Sequence, residues 1–364
     1  MRYVDEFRDI GLINKISQRI NSIMPRQNIN IMEVCGTHTQ NFFRFGLDKL
    51  LPDNLKLISG PGCPVCVSPQ EYIDRAIQLA QDKDNLILTF GDMLRVPGTK
   101  SSLEKERAKN GNVRIVYSAL DSLTVARQSP LKKVIFLAVG FETTAPTIAL
   151  SLLSAKKQNL KNLFFLSSLK LIPPAMDYLA RDKRLKLSGF LCPGHVSCII
   201  GTQAYEFILK KYKIGCCITG FEPLDILEGI YFLIQQFLRH KPCLKNQYTR
   251  AVSPQGNPAA KKVISRVFKV SSASWRGLGK IPDSGLKIKD EFSLFDAEKN
   301  FSFNDQRPTT NDQRPKCRCG DVLKGLISPQ VCPLFSKACC PEHPIGPCMV
   351  SNEGACSAYY KYRK

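Results

Sequence analysis

Cys63-Pro64-Val65-Cys66 sets two thiols three residues apart in a turn, where they can close a small disulfide or grip one metal. The following Ser68-Pro69-Gln70-Glu71 reads as a capping box with proline at the first helical position. Cys66 therefore sits just before a helix N-terminus, whose partial positive charge favours thiolate. The competing reading is a pair of half-buried thiols in a tight turn. Cys35 and His38, two residues apart in Cys35-Gly36-Thr37-His38-Thr39, could share a soft metal such as Fe(II). Taken singly, such a cysteine is more often a small core residue and such a histidine a satisfied hydrogen-bonder.

The chain has 15 cysteines, seven of them from Cys317 to Cys356. Reducing compartments seldom use structural disulfides, so this clustering points to metal or redox chemistry. The tail cysteines are Cys317, Cys319, Cys332, Cys339, Cys340, Cys348 and Cys356, and none forms the paired C-x-x-C knuckles of a zinc ribbon. Scattered single thiols with some to spare suit an iron–sulfur cubane held by four of them. Zinc and a disulfide framework stay open from spacing alone. Cys192, Cys198, Cys216, Cys217 and Cys243 read as packing or incidental thiols.

The elements that must position these groups are short aliphatic runs: Ile31–Val34, Leu55–Ile58, Leu86–Phe90, Val113–Tyr117, Val134–Val139, Leu163–Leu166, Gly189–Leu191 and Ile214–Ile218. Continuous apolar runs predict parallel strands buried on both faces. Helices fit between them; one follows Ser68 with Ile73, Ile77 and Ala80 on one face, and Leu224–Leu238 reads as a buried helix. The fold class is α/β, with two parallel-sheet units facing a cleft (residues 25–130 and 131–240) and a Cys-rich unit over 241–364 joined by 1–24. Beyond residue 240 the pattern gives way to proline- and glycine-rich loops such as 253–258. Asn304-Asp305-Gln306-Arg307-Pro308 recurs at 311–315 and reads as a surface linker or loop insertion. The tail has too few apolar runs for its own core, so a metal would help it fold.

Polar residues collect just after the strands: Cys35 and His38, Cys63 and Cys66, Glu142 and Thr144, His195, and Glu222. In open α/β sheets the carboxyl ends of the strands form the ligand crevice. Glu142 and His195 carry the weaker signal.

Composition narrows the rest. Hydrophobic residues at 43% and charged residues at 23% are ordinary for a globular chain. The net charge of +21, from 52 basic and 31 acidic residues, makes nucleic acid the first partner to test. The excess is spread along the chain, without a basic tail or an aromatic-interleaved stripe, so a lysine-rich solvated surface is the preferred reading. No apolar run reaches the roughly 20 residues a bilayer requires. Asp5, Glu6 and Asp9 stand where a signal peptide would need positive charge, which makes the cytoplasm the default location.

Five motifs in fixed order resemble the HypD family: CGTHT at Cys35–Thr39, GPGCPVCV at Gly60–Val67, GFETTAPT at Gly140–Thr147, PGHVS at Pro193–Ser197, and the CRCG…CMVS…GAC tail. The resemblance implies a hydrogenase maturation protein that works with the chaperone HypC to assemble the Fe(CN)2CO unit of nickel–iron hydrogenases. Cyanide would come from HypE, and delivery to the hydrogenase large subunit would run through HypC. It further implies two α/β domains and a 4Fe-4S domain similar to ferredoxin–thioredoxin reductase. By motif, Cys317, Cys332, Cys339 and Cys356 would hold the cluster. Cys319 and Cys348 would form the adjacent dithiol or disulfide, and Cys63 and Cys66 a second redox pair relaying electrons toward Cys35. Cys35 would hold the iron with a cysteine of HypC, His38 nearby, while Glu142, Thr144 and His195 would line the cleft. Cys340 stands beside Cys339 where the family pattern has threonine, which offers two adjacent thiols for one position.

Two rival functions remain from sequence. A cluster-dependent thiol–disulfide oxidoreductase explains the Cys63/Cys66 pair but gives Cys35 and His38 no purpose. A zinc-stabilised nucleic-acid-binding protein explains the charge but not the glycine-rich strand ends.

Overall fold

The computed structural model describes residues 4–304 and 317–363. Helix α1 (Ile10–Ile23) leads into β1 (Ile29–Glu33), α2 (Gly36–Arg44) and β2 (Leu55–Ser59). A short helical turn α3 (Pro64–Val67) and α4 (Gln70–Gln81) carry the chain to a second set of strands. These are β3 (Asn85–Thr89), β4 (Val113–Ile115), β5 (Lys133–Gly140) and β6 (Leu163–Leu169), joined by α5 (Leu103–Ala108), α6 (Asp121–Gln128) and α7 (Ala145–Lys157). Helix α8 (Ile172–Ala180) returns the chain to β7 (Gly189–Pro193), after which α9 (Gly194–Ile200) and α10 (Glu206–Tyr212) precede β8 (Gly215–Thr219). Helix α11 (Pro223–Leu238) and β9 (Leu244–Asn246) follow.

All eight expected strands form, within a few residues of their expected limits, and their neighbours are parallel. They make two sheets, ordered β2-β1-β7-β8-β9 and β4-β3-β5-β6. The expected division near residue 130 is not where the sheets part. Strands 85–169 form one sheet, inserted between the two halves of the other. An alternation of strands and helices reads the same whichever strands pair, so local pattern carries no information about the crossover back to β7. Residues 134–138 of β5 are wholly buried, as a strand covered on both faces requires.

Past residue 240 the chain is more ordered than its composition suggests. Strand β9 extends the first sheet, α12 (Pro258–Val267) is capped by Asn257, and β10 (Phe268–Trp275) pairs antiparallel with β11 (Gly279–Ile288). So residues 241–288 do not stand apart with the tail. Among the described residues the tail holds four short α-helices: α13 (Ala297–Asn300), α14 (Cys319–Leu323), α15 (Pro347–Val350) and α16 (Ala355–Tyr362). It has no separate core; Cys319, Leu323, Cys339, Cys348, Met349 and Cys356 pack in the same apolar cluster as α3 and α4. The NDQRP repeat, apart from Asn304, lies outside the described residues.

The capping box expected at Ser68 is absent. The Ser68 hydroxyl donates back to the Pro64 carbonyl (3.0 Å), and α4 starts at Gln70 with no side-chain cap. Ile73, Ile77 and Ala80 are buried on one face as expected. A reciprocal box does open α11, where Glu222 and Asp225 each accept from the other's end of the first turn. Among the described residues no helix is long and apolar enough to cross a membrane.

Candidate functional site

Strand β1 ends in Glu33, and Cys35 two residues on is the N-cap of α2. Glu33 is fully buried; its carboxylate accepts from the Cys35 N–H (3.0 Å) and from the Thr39 hydroxyl. Burial pushes this carboxyl up to about 7. The Gly60–Gly62 loop lies directly on Cys35. The Gly36 N–H donates to the Gly62 carbonyl (3.1 Å), and a Cβ on Gly62 would stand 2.3 Å from the Cys35 nitrogen. Only glycine lets the two backbones approach so closely. A third segment closes the group, because Thr37 donates to Glu353 (2.8 Å) and a Cβ on Gly36 would meet Glu353 Cβ at 2.4 Å. Burial first, and then the Glu353 charge, push the Cys35 thiol up to about 12.

His38 is completely buried and donates from Nε2 to the Gly220 carbonyl (2.8 Å), with the Thr219 hydroxyl 3.1 Å from the same nitrogen. The carbonyl bond fixes the proton on Nε2, which leaves Nδ1 with a lone pair and no partner among the described residues. Burial lowers this imidazole to about 4, so it is neutral at neutral pH. Phe221 packs between His38 (4.9 Å between centroids) and His195 (4.0 Å). His195 itself is exposed.

The thiols of three segments meet. Cys63 caps α3, its sulfur accepting from the Cys66 N–H (3.3 Å). Cys66 lies beside Cys348, Cys348 beside Cys319 and Cys356, and Cys319 beside Cys317, each thiol close enough to act on its neighbour. The expected thiolate at Cys66 is overturned: it is fully buried, and desolvation pushes its thiol well above the usual range. Burial here outweighs the field of a single helical turn. All fifteen cysteines are free thiols. Cys192, Cys216 and Cys217 are buried strand residues, as expected.

Cys339 faces inward, its sulfur accepting from the Ile345 N–H (3.3 Å) within electrostatic reach of Cys317 and Cys356. Cys340 is half-exposed. Cys332 is buried at the end of the Pro329–Val331 turn. No three or more His, Cys, Asp or Glu side chains among the described residues group so as to hold one metal ion. A cubane offers its irons at separate corners, so its thiols need not converge on a point, and Cys339 with Cys317 and Cys356 in reach fits it by donor chemistry. A second feature fits an anionic group here: Arg276, whose charge acts on Cys317 and Cys319, has a buried Nη2 with no partner among the described residues.

Thr144 lines a pocket of about 380 Å³ at the carboxyl ends of β3, β4 and β5, together with Pro64, Val65, Phe90 and Tyr117. Glu142 does not line it. It is buried, accepts from the Ile172 N–H (2.9 Å), keeps one oxygen unpartnered and is pushed up to about 7 by burial. A larger cavity of about 630 Å³ opens along the outer edge of β2, and no cysteine lines it. Sequence reasoning missed Glu33, Glu353 and Arg276. Glu33 could have been found from its place two residues before Cys35, whereas Arg276 and Glu353 carry no such local signal.

Fold and site together define a multi-thiol α/β protein whose strand-end loops and cysteine tail share one buried centre. The HypD profile, described as the hydrogenase formation hypA family, matches residues 11–363, and the chain belongs to this family. It is similar to hydrogenase maturation factor HypD2 of Bradyrhizobium diazoefficiens, at 42% identity over 100% of this chain and 97% of that protein. It is equally similar to hydrogenase maturation factor HypD of Escherichia coli (42%, covering 100% and 99%) and nearly so to that of Cupriavidus necator (41%, 100% and 97%).

Proposed function

We propose that this chain is a redox scaffold of hydrogenase maturation which, with HypC, assembles the Fe(CN)2CO unit using cyanide from HypE. The observation that supports this most is the unbroken series of thiols from Cys63 through Cys66, Cys348 and Cys319 to Cys317, one end of which adjoins the loop that covers Cys35. Cys35 would hold the cargo iron jointly with a cysteine of HypC. Low-spin iron bearing cyanide and CO is a soft centre suited to thiolate, so Cys35 gives up its proton when iron binds. Neutral His38 offers its free Nδ1 one helical turn along α2. Glu33 and Gly62 fix the Cys35 backbone from either side.

Cys317, Cys332, Cys339 and Cys356 would hold a 4Fe-4S cluster, which when bound supplies electrons singly. The Cys319/Cys348 and Cys63/Cys66 pairs take up or release electrons two at a time, each disulfide reduced yielding two thiols. Their burial keeps bulk oxidants and water from the sulfurs. Replacing Cys63 with alanine should block cofactor assembly while the visible spectrum of the reconstituted cluster stays intact. Full maturation activity in that variant would remove the relay. Infrared bands of iron-bound cyanide and CO in the complex with HypC separate this role from thiol–disulfide exchange on protein substrates.

A further inference from the structure

The turn between β10 and β11 is wedged between the Cys63–Cys66 turn and the cysteine tail. Trp275 anchors it, stacked on Phe141 (6.0 Å) with its indole N–H donating to Ser284 (2.8 Å). Gly277, at φ +80°, has no room for a side chain, since a Cβ would lie 2.3 Å from the Cα of Gly320, next to Cys319. Arg276 spends three donors on the other side. Its backbone N–H reaches the Val67 carbonyl (2.9 Å), Nε the Ser68 carbonyl (2.8 Å) and Nη1 the Gln70 side chain (2.8 Å). Those acceptors follow Cys66 directly, so the guanidinium holds the exit of the Cys63–Cys66 turn.

Its Nη2 is buried without a partner among the described residues. A buried charged donor left unsatisfied keeps its full desolvation penalty, so the free position calls for an acceptor. The positive charge acts on Cys317 and Cys319. A neutral thiol accepts weakly, whereas iron-bound thiolate or sulfide accepts strongly. We propose that Arg276 is a positioning residue of the sulfur centre, pinning the Cys63–Cys66 turn on the Cys317–Cys319 segment and keeping Nη2 free to donate to anionic sulfur there. This rests on the iron–sulfur reading given above.

The test uses the full chain, reconstituted anaerobically with iron and sulfide, as parent, R276Q and R276K. Iron and sulfide content report loading, and fluorescence of the single tryptophan, Trp275, reports hairpin docking. Titration with dithionite, followed by electron paramagnetic resonance, gives the one-electron midpoint potential. A nearby cation favours the more negative reduced form. R276Q, which keeps the backbone bond to Val67 and the Trp275 anchor, should still load and dock while its reduction equilibrium constant falls about tenfold, ~59 mV. R276K, which keeps the charge, should recover most of that. An unchanged potential in loaded, docked R276Q overturns the proposal. If R276Q does not fold, Q70A frees Nη1 from its anchor and should shift the potential the same way by less; no shift overturns it equally. A parent chain that takes up no iron or sulfide sinks the cluster reading itself, and the proposal with it. Loading of the parent with an indifferent R276Q sinks the proposal alone.

Discussion

The strand-end loops and the cysteine tail supply sulfur to the same centre but are built on opposite principles. Cys35 and Cys63 are held by a parallel sheet, Cys35 after the buried strand β1 and Cys63 after the half-buried edge strand β2, and their loops only have to leave the strands correctly. Cys317, Cys348 and Cys356 sit on or beside helices of five, four and eight residues, too short to hold shape alone. The tail is fixed instead by what it touches: Gly320 on Gly277, Glu353 on Gly36, Cys348 on Cys66. The first region carries its geometry in its own core, and the second borrows it.

The hardest way to break the first region is Asp225→Ala. Asp225 is wholly buried, pairs bidentately with Arg250 (2.9 and 2.6 Å) and accepts from Gln247 (2.7 Å), which in turn holds the Gly220 N–H beside His38. Removal leaves the Arg250 charge uncompensated, at a cost of about 3–5 kcal/mol in urea unfolding. Wild-type stability would show that the first region does not depend on this network.

Glu142→Gln tests burial in the inserted sheet. Because burial raises the folded carboxyl to about 7, the folded chain retains a proton that the unfolded chain releases from about pH 4.5 upward. Glu142 thus subtracts stability as pH rises from about 4.5 through 7. The variant should gain up to about 3 kcal/mol on its parent between pH 4 and pH 8. A difference that does not change with pH contradicts the buried carboxyl.

For the tail, Gly36→Ala should push Glu353 aside. Protease cleavage after residue 340 should accelerate while global unfolding shifts by only about 1 kcal/mol. Equal effects on both measurements would mean the two regions unfold as one. The smallest effect is expected from Cys340→Ser, with iron uptake unchanged; Cys339→Ser should lower it. The reverse ranking would exchange the two roles.

Much of the first region was legible in the sequence, because an apolar run bounded by glycine or proline is a local signal. Seven of the eight strands carry one; Leu163–Leu166, between asparagine and serine, is read from its apolar run alone. Pairing was not legible, since nothing in Ile31 or Gly189 says that they adjoin across the inserted sheet. The hairpin was missed because Phe268–Trp275 exposes half of its residues, including Val270, and its partner contains Pro282 and Gly285, which read as loop. Within the site the cysteines announced themselves by type. Arg276 and Glu353 matter through where the turn and the tail dock, and no spacing rule reaches that far.

The insertion also sets an order of events at the ribosome. Ile31 pairs with Gly189, 158 residues later (189 − 31), so β1 and β2 emerge long before their sheet can be completed. At typical synthesis rates that interval is roughly 10–30 s, with one edge of β1 open throughout. The inserted sheet has every strand it needs by residue 169 and can close first. The nascent half-sheet is thus the stretch of this chain most in need of a chaperone's cover.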